Sequence, residues 1–380
     1  MRAALLGLSM LAACSGSSKG LDDAPTSEPS SSSAPIGSSM ATNDASARPD
    51  DAPWPKTKID ALLVRDQPPS EGLERWDGSI VVRVAPPRRL DLAARTSRPV
   101  TIEGAAAVLD LATYKKQPVA LVKTGDERWL AIKEGGSFKR VELPAAFRSA
   151  KSKNPPGDPR IAADDNEIVL QHGTMLQRYD GNAWSAVSIT GIKDSPSTMG
   201  VFASSLLLHR GALWLAFDRG EWGGALYSVD LASGKARKED GPDLPVRDIE
   251  VDGQGALWVV RGLAHLGLRE GDLRVLSNGA WKLVASSEDD TKAPASKIAE
   301  TAFDAVAFDA EGKPIMLTGN KGLLRQQGSA WVPLLRDWPE FVYVQDLEIE
   351  GDKIVIATYD AGILLVDLPT SNATRITLVD

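Results

Sequence analysis

The hydrophobic positions of this chain occur in short runs and not in long helical stripes. From residue 54 onward, apolar runs of about four residues alternate with turns rich in Gly, Asp and Asn. No segment repeats its apolar positions every 3.6 residues, so the pattern predicts an all-β domain. Seven of the predicted strands are Ala61–Val64, Val119–Val122, Glu167–Leu170, Leu213–Ala216, Leu257–Val260, Pro314–Leu317 and Ile354–Ala357.

A glycine follows each of these strands after a polar loop and opens a further apolar run. The glycines are separated by 47, 48, 51, 47, 51 and 40 residues, and they are Gly78, Gly125, Gly173, Gly224, Gly271, Gly322 and Gly362. A repeat of this length that contains several strands predicts a β-propeller, in which four-stranded blades surround a central channel. We count seven blades, and six or eight remain open alternatives.

The fifth repeat shows the order of the strands best. Val246–Val251 is predicted as its first strand, Ala256–Val260 as its second and Leu273–Ser277 as its third. Residues 278–284 turn into the fourth strand, and the acidic stretch Ser286–Ser296 is predicted as an insertion loop.

The two ends of the domain fit the repeat less well. In the first unit, Ile59–Arg65 and Ser79–Val84 are predicted strands, joined by a long connection over residues 66–77. The last strand, Thr374–Val379, is expected to help close the ring with N-terminal residues, because an open ring leaves sheet edges unpaired.

Tryptophan recurs at two positions of the repeat. Trp214 and Trp258 lie within second strands, and Trp184, Trp281 and Trp331 lie at the start of fourth strands. Large flat side chains suit the space between two sheets that pack face to face. We therefore predict that these tryptophans are packed between blades.

The motif D-x-x-G-x-L-W-V, followed by G-L and a later tryptophan, spans Asp252–Val260 and recurs in part over Phe308–Leu324. It resembles the repeats of two-component regulator propellers, a resemblance that implies an extracytoplasmic sensing head. Tyr227–Lys235 is similar to the repeats of quinoprotein-like propellers, although it lacks the tryptophan that those repeats place after Gly-Lys.

The first fourteen residues carry a targeting pattern. Arg2 precedes a mostly apolar segment that ends in Leu11-Ala12-Ala13-Cys14, and this segment is too short to span a bilayer. It resembles a bacterial lipoprotein signal with its lipobox, which implies cleavage after residue 13 and acyl chains such as palmitate on Cys14. The alternative is a buried or reactive thiol. Ser15, in place of Asp, favours the outer membrane facing the periplasm, and surface exposure stays open.

The segment after Cys14 is predicted to be a tether. Residues 15–50 contain eleven serines and no aromatic residue, so they cannot bury enough apolar surface to offset the entropy of ordering. The expected organisation is a signal peptide at residues 1–13, a lipidated and disordered Ser/Pro/Ala-rich tether at 14–53, and a propeller at 54–380 that forms a monomeric head.

Composition narrows the possible functions. With 51 acidic and 43 basic residues the formal net charge is −8, which disfavours nucleic acid as a partner. One cysteine excludes an internal disulfide, and three histidines leave little room for a metal centre. We find no nucleophile elbow, H-x-x-x-H spacing, EF-hand calcium loop or phosphate-binding glycine loop, and we predict no cofactor, metal or catalytic residue.

The loops between second and third strands must all emerge on one face of a propeller, around the channel mouth. Such convergent loops build binding sites on rigid scaffolds. The ligand-binding candidates on this face are His172, Arg219, Glu221, Trp222, Arg261, His265, Asn320, Lys321, Tyr359 and Asp360. Trp222 stands out because it lies outside both packing positions of tryptophan. It could stack on a sugar or a peptide side chain, or form a lid over the channel without a ligand.

Two functions fit this pattern. The first is a membrane-anchored, extracytoplasmic binding, scaffold or sensor module for a protein or glycan. The second is a propeller-type enzyme, such as a lyase, a glycosidase or a quinoprotein-like enzyme, with its site at the channel mouth. The lack of a catalytic motif favours the first.

Overall fold

The computed structural model describes residues 59, 62–63, 70–149, 158–173, 175–192, 203, 205–265, 268–287, 296–298, 300–336, 338–339, 342–359 and 361–378. Within them the strands form seven antiparallel sheets that follow one another along the chain. The first strands of successive sheets contact one another around a ring, and the first sheet also contacts the last. The predicted seven-bladed propeller is thus confirmed.

Blades 1 to 4 each contain four strands, listed here in chain order. They are β1 (Leu73–Trp76), β2 (Ser79–Val82), β3 (Arg88–Asp91) and β4 (Thr96–Pro99); β5 (Ala107–Tyr114), β6 (Gln117–Thr124), β7 (Glu127–Glu134) and β8 (Ser137–Glu142); β9 (Arg160–Ala163), β10 (Ile168–His172), β11 (Met175–Tyr179) and β12 (Trp184–Val187); and β13 (Ser205–His209), β14 (Ala212–Asp218), β15 (Gly224–Asp230) and β16 (Ala236–Lys238). A one-turn helix, α1 (Ala145–Arg148), follows blade 2.

Blade 5 has a fifth strand, and blades 6 and 7 return to four. They contain β17 (Val246–Val251), β18 (Leu257–His265), β19 (Leu268–Ser277), β20 (Ala280–Ser286) and β21 (Ser296–Lys297); β22 (Phe303–Phe308), β23 (Pro314–Thr318), β24 (Gly322–Gln327) and β25 (Ala330–Leu335); and β26 (Val344–Glu350), β27 (Lys353–Thr358), β28 (Ile363–Asp367) and β29 (Asn372–Ile376). No helix among the described residues is long and apolar enough to cross a membrane.

The predicted second strands are confirmed in blades 2 to 7, but the prediction for blade 1 is wrong. Residues 62 and 63 lie outside any strand, and Ile59 is buried against the core shared by blades 6 and 7. Blade 1 begins instead at β1, whose Trp76 is buried, and Asp77 and Gly78 form the turn to β2 with φ of 54° and 69°. Positive φ at both positions is the requirement of a tight hairpin, so Gly78 marks a turn between first and second strands.

Among the described residues, no strand is shared between the two ends of the ring. β29 pairs only with β28 of its own blade. Beyond it, Thr377 donates its amide to Arg95 O at 3.3 Å, and its own carbonyl accepts a hydrogen bond from Ser97 Oγ at 3.0 Å. Ile376 and Leu378 also join an apolar cluster that blades 1 and 7 share, so the C-terminal segment contacts blade 1 as expected.

The space between neighbouring blades is filled with apolar side chains, as the tryptophan pattern predicts. Trp214 of blade 4 meets Trp281 of blade 5 edge to face, with ring centroids 6.1 Å apart. Trp258 of blade 5 meets Phe308 of blade 6 at 5.3 Å. Edge-to-face pairs contribute about 0.5–1.5 kcal/mol beyond the burial of their surface. The insertion predicted at Ser286–Ser296 begins at the end of β20 and ends in β21, and residues 288–295 lie outside the described part.

Aspartates in the innermost strands connect one blade to the next. Asp110, Asp248 and Asp346 each follow a β-bulge in the first strand of blades 2, 5 and 7. Their carboxylates accept hydrogen bonds from the backbone amides of Ile161, Val306 and Leu73, at 2.9, 2.9 and 2.8 Å. Each amide lies in the first strand of the following blade, on an edge that no strand pairs. The bulge turns the aspartate toward that edge, which satisfies a donor that is costly to leave buried.

We predict that Asp110→Ala lowers the free energy of unfolding by roughly 3 kcal/mol, the range found when a buried charge pair loses one partner. Asp110 is 4% exposed, and its carboxylate also pairs with Arg83 at 3.3 Å and Arg160 at 3.7 Å. Denaturant unfolding measures the loss. Asp165→Ala, at an exposed turn, is the control and should change stability by no more than about 0.5 kcal/mol. Equal losses for both variants would contradict a structural role for the Asp110 carboxylate.

Candidate functional site

The two faces of the propeller differ in the length of their loops. We call the upper face the one that carries the loops between second and third strands and the connections between blades. The lower face carries the turns between first and second and between third and fourth strands. Asp252 and Asp309 order two lower turns by accepting backbone amides, from Gln254 and Ala256 and from Glu311 and Lys313, each at 2.9 Å. Asx turns of this kind leave little surface for a ligand.

The exposed large apolar side chains of the described residues all lie on the upper face. They are Trp222, Leu268, Tyr343 and Tyr359, with exposed fractions of 68%, 50%, 58% and 47%. Trp222 lies between β14 and β15, and Leu268 begins β19 in a hairpin that extends blade 5. Tyr343 precedes β26, and Tyr359 follows β27 and donates its amide to Tyr343 O at 2.8 Å. Exposed aromatic residues grouped on one face are typical of a binding surface.

The loop that carries Trp222 is held in a defined conformation. Gly220–Trp222 forms one turn of 3-10 helix, and Gly220 donates its amide to Asp218 Oδ1 at 2.7 Å. The other oxygen of Asp218 pairs with Arg247 of blade 5 at 2.5 Å. Gly223 has a φ of 82°, and a Cβ there would approach Asp243 O to 2.6 Å, so this position requires glycine. The fold therefore presents Trp222 to solvent on an ordered turn.

A histidine and a carboxylate pair beside Trp222. His265 Nε2 lies 2.9 Å from Glu221 Oε2, and both side chains are close to half exposed. Arg219 accepts the amide of Trp222 with its carbonyl oxygen at 3.2 Å and precedes the 3-10 turn. The structure thus brings Glu221, Trp222 and His265 together, although the first two come from blade 4 and the third from blade 5. Such a group can hydrogen-bond a polar ligand while the indole stacks on it.

Two candidates are buried within second strands and do not lie in exposed loops as expected. His172 is 1% exposed at the end of β10, near the ring of Phe147 with centroids 6.2 Å apart. Arg261 is 2% exposed within β18 and pairs with Asp272 at 3.1 Å. The expectation that they lie in exposed loops is wrong, because the second strands of blades 3 and 5 extend further than their apolar runs indicate, and their ligand-binding roles stay predictions.

The remaining candidates are distributed around the ring. Asn320 and Lys321 lie between β23 and β24 of blade 6, where the Asn320 side-chain amide donates to Glu300 O at 3.0 Å. Tyr359 is one of the four exposed apolar side chains of the upper face and lies in blade 7. Asp360 and Cys14 lie outside the described residues, so their predicted roles stay predictions.

A set of channel carboxylates was missed from the sequence. A cavity of about 310 Å³ lies between the first strands of six blades, and its lining includes Glu74, Asp248, Glu250, Asp346 and Glu348. The signal was present in the sequence, because Asp248-Ile249-Glu250 and Asp346-Leu347-Glu348 repeat the same acidic–apolar–acidic pattern in first strands. An interior strand with charged residues at every second position indicates a polar channel.

Burial raises the pKa of these carboxyl groups. The pKa of Glu74 rises to about 8 through burial, against the opposing field of Arg83 and with the help of neighbouring carboxylates. The pKa of Glu348 rises to about 7 for the same main reason, although Arg75 lies at 3.0 Å. Burial also raises the pKa of Asp248, Glu250 and Asp346, whose mutual repulsion disfavours full ionisation.

Oxygen atoms of Asp248, Glu250 and Asp346 lie within 4.8 Å of one another, a spacing that a hard cation could bridge. Two of these carboxylates already accept the interblade amides of Val306 and Leu73. The cluster therefore has a structural role, because it joins blade 5 to blade 6 and blade 7 to blade 1.

Neither a protein-family model nor a curated protein sequence matches the chain. Among solved structures, a GH74 enzyme from Niastella koreensis is similar with a TM-score of 0.55 and 12% identity, over 82% of this chain and 54% of that one. The extracellular domain of a hybrid two-component system from B. thetaiotaomicron is similar with a TM-score of 0.50 and 12% identity, over 80% and 39%. The chain therefore spans about half or less of the length of these two proteins.

A virginiamycin B lyase from Staphylococcus aureus is also similar, with a TM-score of 0.49 and 16% identity, over 80% of this chain and 96% of that one. At these identities the likeness concerns the fold alone. The likeness to the GH74 enzyme and to the extracellular domain agrees with the β-propeller fold.

We predict that stability falls as the pH rises from about 5 to about 8. A carboxyl whose pKa is raised in the folded state binds more protons folded than unfolded across this window, so removing those protons disfavours the fold. Between these pH values, the melting temperature of Glu74→Gln should therefore fall by roughly 2 °C less than that of the wild type. This difference corresponds to about 1 kcal/mol in a large domain. Thermal melts at both pH values measure it.

The control is Asp77→Asn at the lower turn. Hydrogen bonds from Lys133 lower the pKa of Asp77, so that variant should not flatten the profile in this pH range. A melting temperature that rises with pH in the wild-type protein would contradict the ionisation argument.

Proposed function

We propose that the protein is a membrane-anchored, extracytoplasmic binding module whose upper face holds a protein or glycan ligand. The observation that carries this proposal is the segregation of exposed apolar surface. Trp222, Leu268, Tyr343 and Tyr359 share the upper face, while the lower face consists of tight polar turns. Aromatic side chains supply large contact area at low entropic cost, which makes them common in binding surfaces.

The pair His265–Glu221 adds specificity to the same surface. Its half-exposed polar atoms lie next to Trp222 and can exchange hydrogen bonds with hydroxyl, amide or carboxylate groups. The ordered 3-10 turn reduces the entropy lost when a ligand is bound, because the loop does not have to find its conformation.

The pair also supports a second candidate function. A histidine oriented by a carboxylate can act as a general base, as a propeller-type lyase or hydrolase would require. The distance of 2.9 Å between His265 Nε2 and Glu221 Oε2 is the observation that favours it. The absence of a recognisable nucleophile motif in the sequence makes binding without turnover the better supported function.

The anchor is the N-terminal part of the proposal. Cys14 follows a short apolar segment with small residues before it, as in lipoprotein signals. Two or more acyl chains make a stable attachment, because each buried methylene contributes about 0.8 kcal/mol. Lipid on Cys14 would hold the propeller near a membrane through the serine-rich segment that follows.

We expect Trp222→Ala to weaken ligand binding by roughly 30-fold, the effect of losing an aromatic hot spot. The full-length protein is tested against detergent-solubilised bacterial envelope and an oligosaccharide panel. Lys116→Ala, on a lower-face turn, is the control and should bind like the wild type. Undiminished binding by Trp222→Ala would contradict the upper-face site. Conversion of the recovered ligand, abolished by His265→Gln, would instead identify the enzyme.

We expect Cys14→Ser to move the protein from the membrane fraction to the soluble fraction, because serine cannot form the thioether that carries the lipid. Metabolic labelling with palmitate followed by fractionation measures both attachment and location. Ser15→Ala is the control, and it should remain labelled and membrane-bound. Continued retention of the unlabelled Cys14→Ser protein would contradict lipid anchoring.

A further inference from the structure

The exposed apolar side chains of the upper face lie on two sides of the central cavity, the cavity of about 310 Å³ between the first strands. Trp222 and Leu268 lie at the junction of blades 4 and 5, and Tyr343 and Tyr359 lie in blade 7. Packed sheets are roughly 10 Å apart, so groups that blade 6 separates are about 20 Å apart. A ligand that contacts both groups therefore extends across the upper end of the cavity.

Both groups are continuous with the lining of the cavity. Asp218 belongs to the lining, and its Oδ1 accepts the Gly220 amide at 2.7 Å in the 3-10 turn that presents Trp222. Val344 and Gln345, which directly follow Tyr343, also belong to the lining. The exposed side chains and the cavity thus form one surface, with the cavity at its centre.

The unpaired charge of the cavity is negative. Its lining contains seven Asp or Glu residues and four arginines. All four arginines already form ion pairs, which are Arg75 with Glu348, Arg83 with Asp110, Arg160 with Asp110 and Arg247 with Asp218. The carboxylates of Glu71, Glu74 and Glu250 have no ion pair among the described residues. A cationic group is the complementary ligand for such a lining.

These three carboxylates belong to residues that solvent reaches. Glu71 is exposed before β1, and Glu74 and Glu250 are partly buried in β1 and β17. Burial raises the pKa of Glu74 to about 8 and also raises the pKa of Glu250, because an ionised carboxylate loses hydration there. A cation in the cavity would offset that loss.

The size of the cavity favours one basic side chain over a larger cationic molecule. Its volume is at the lower limit of small-molecule sites, which hold about 300–1,000 Å³. A Lys or Arg side chain fits this shape, because a long apolar stem carries its charge at the far end. The aromatic and aliphatic groups on either side suit apolar residues of the same ligand.

The distance across the surface favours a segment of protein. A span of about 20 Å corresponds to roughly six residues of extended chain at about 3.3 Å each. Such a segment supplies apolar side chains at both ends and a basic side chain between them. Neutral sugars supply no cation, so a glycan matches the cavity less well.

We propose that the upper face binds an extended segment of a partner protein, in which a Lys or Arg side chain enters the central cavity and apolar residues on either side contact Trp222 and the tyrosines of blade 7. This inference rests on the upper-face function proposed above, and it selects a basic protein segment from the ligands that function allows.

The test measures binding of the full-length protein to arrays of peptides of about nine residues, long enough to span the surface. The peptides are randomised except for a central Lys, Arg, Gln or Glu. We expect retention on the Lys and Arg arrays to exceed retention on the Gln array roughly fivefold, and the Glu array to retain least. Equal retention on the Lys, Arg and Gln arrays would overturn the proposal.

Calorimetry of the strongest basic peptide follows, with a cationic chito-oligosaccharide and a neutral cello-oligosaccharide as the glycan arms. Replacing the central basic residue of the peptide by Gln should weaken its affinity roughly tenfold. Binding of an oligosaccharide without binding of the peptide would overturn the choice of a protein segment.

Variants of the chain locate the basic side chain. Glu74→Gln together with Glu250→Gln keeps the volume of both side chains, removes their charge and should weaken the basic peptide roughly tenfold. Glu311→Gln, at an exposed lower turn, is the matched control and should bind like the wild type. Glu250→Gln alone replaces the double variant if the latter has an altered melting temperature.

The peptide with central Gln makes this comparison specific. It should bind the double variant and the wild type equally, because it places no charge in the cavity. An equal loss of affinity for the basic and the Gln peptide would show a general effect on the surface and would overturn the contact in the cavity.

Two results separate this proposal from the upper-face function. If an oligosaccharide or an acidic peptide binds, Trp222→Ala abolishes that binding and basic peptides do not bind, the basic segment is wrong and the upper-face function stands. If basic peptides bind the wild type, Trp222→Ala and Tyr343→Ala equally well, the upper face is not the docking surface, and both proposals are overturned.

Discussion

The ring depends on the contacts that hold seven separate sheets together, because within the described parts of the chain no sheet is hydrogen-bonded to the next as a continuous ladder. Each innermost strand presents an unpaired edge to its neighbour, and unsatisfied amides at such an edge would be costly. Asp110, Asp248 and Asp346 satisfy three of these amides, and the bulges before them aim the carboxylates. Apolar contacts between blades supply the non-directional part of the attraction, whereas the aspartates fix the position of one blade against the next.

The same solution creates the acidic interior. A carboxylate that reaches the neighbouring blade must come from the channel-lining strand, and Glu250 and Glu348 lie two positions further along these strands, on the same face. Carboxyl groups are therefore concentrated in the channel, where they are largely shielded from water. Raised pKa values are the consequence, because a partly protonated cluster avoids the repulsion of a fully charged one. The channel can thus be understood first as a structural element of the ring.

Sequence periodicity predicted the blade count and the second strands of six blades, since a fully buried strand must be a continuous apolar run. The same periodicity failed in blade 1, because β1 alternates between buried and more exposed positions and has no continuous apolar run. Ile59 is the predicted start of a strand, but it packs against the core of blades 6 and 7. The residues predicted to lie in upper-face loops include both exposed and buried ones, for a related reason. Hairpin length is set by packing between neighbouring strands, so His172 and Arg261 could not be distinguished from the exposed His265 by local sequence. The parallel pairing of β21 with β20 was also missed, because the polar insertion between them does not indicate a strand.

Asymmetry between the two faces follows from the chain path. Turns between antiparallel neighbours can be closed by two residues, and Asp-Gly or Asn-Gly pairs with positive φ do so at Gly78 and Gly279. Such short turns expose too few side chains to form a binding site. Connections on the upper face vary in length from blade to blade, and among the described residues they include the 3-10 turn Gly220–Trp222 and the extended hairpin of β18 and β19. Trp222, Glu221 and His265 occur at this one irregular junction of blades 4 and 5. A regular scaffold gains a distinctive surface where the repeat is broken, and the location of the exposed tryptophan is therefore a stronger functional signal than its residue type.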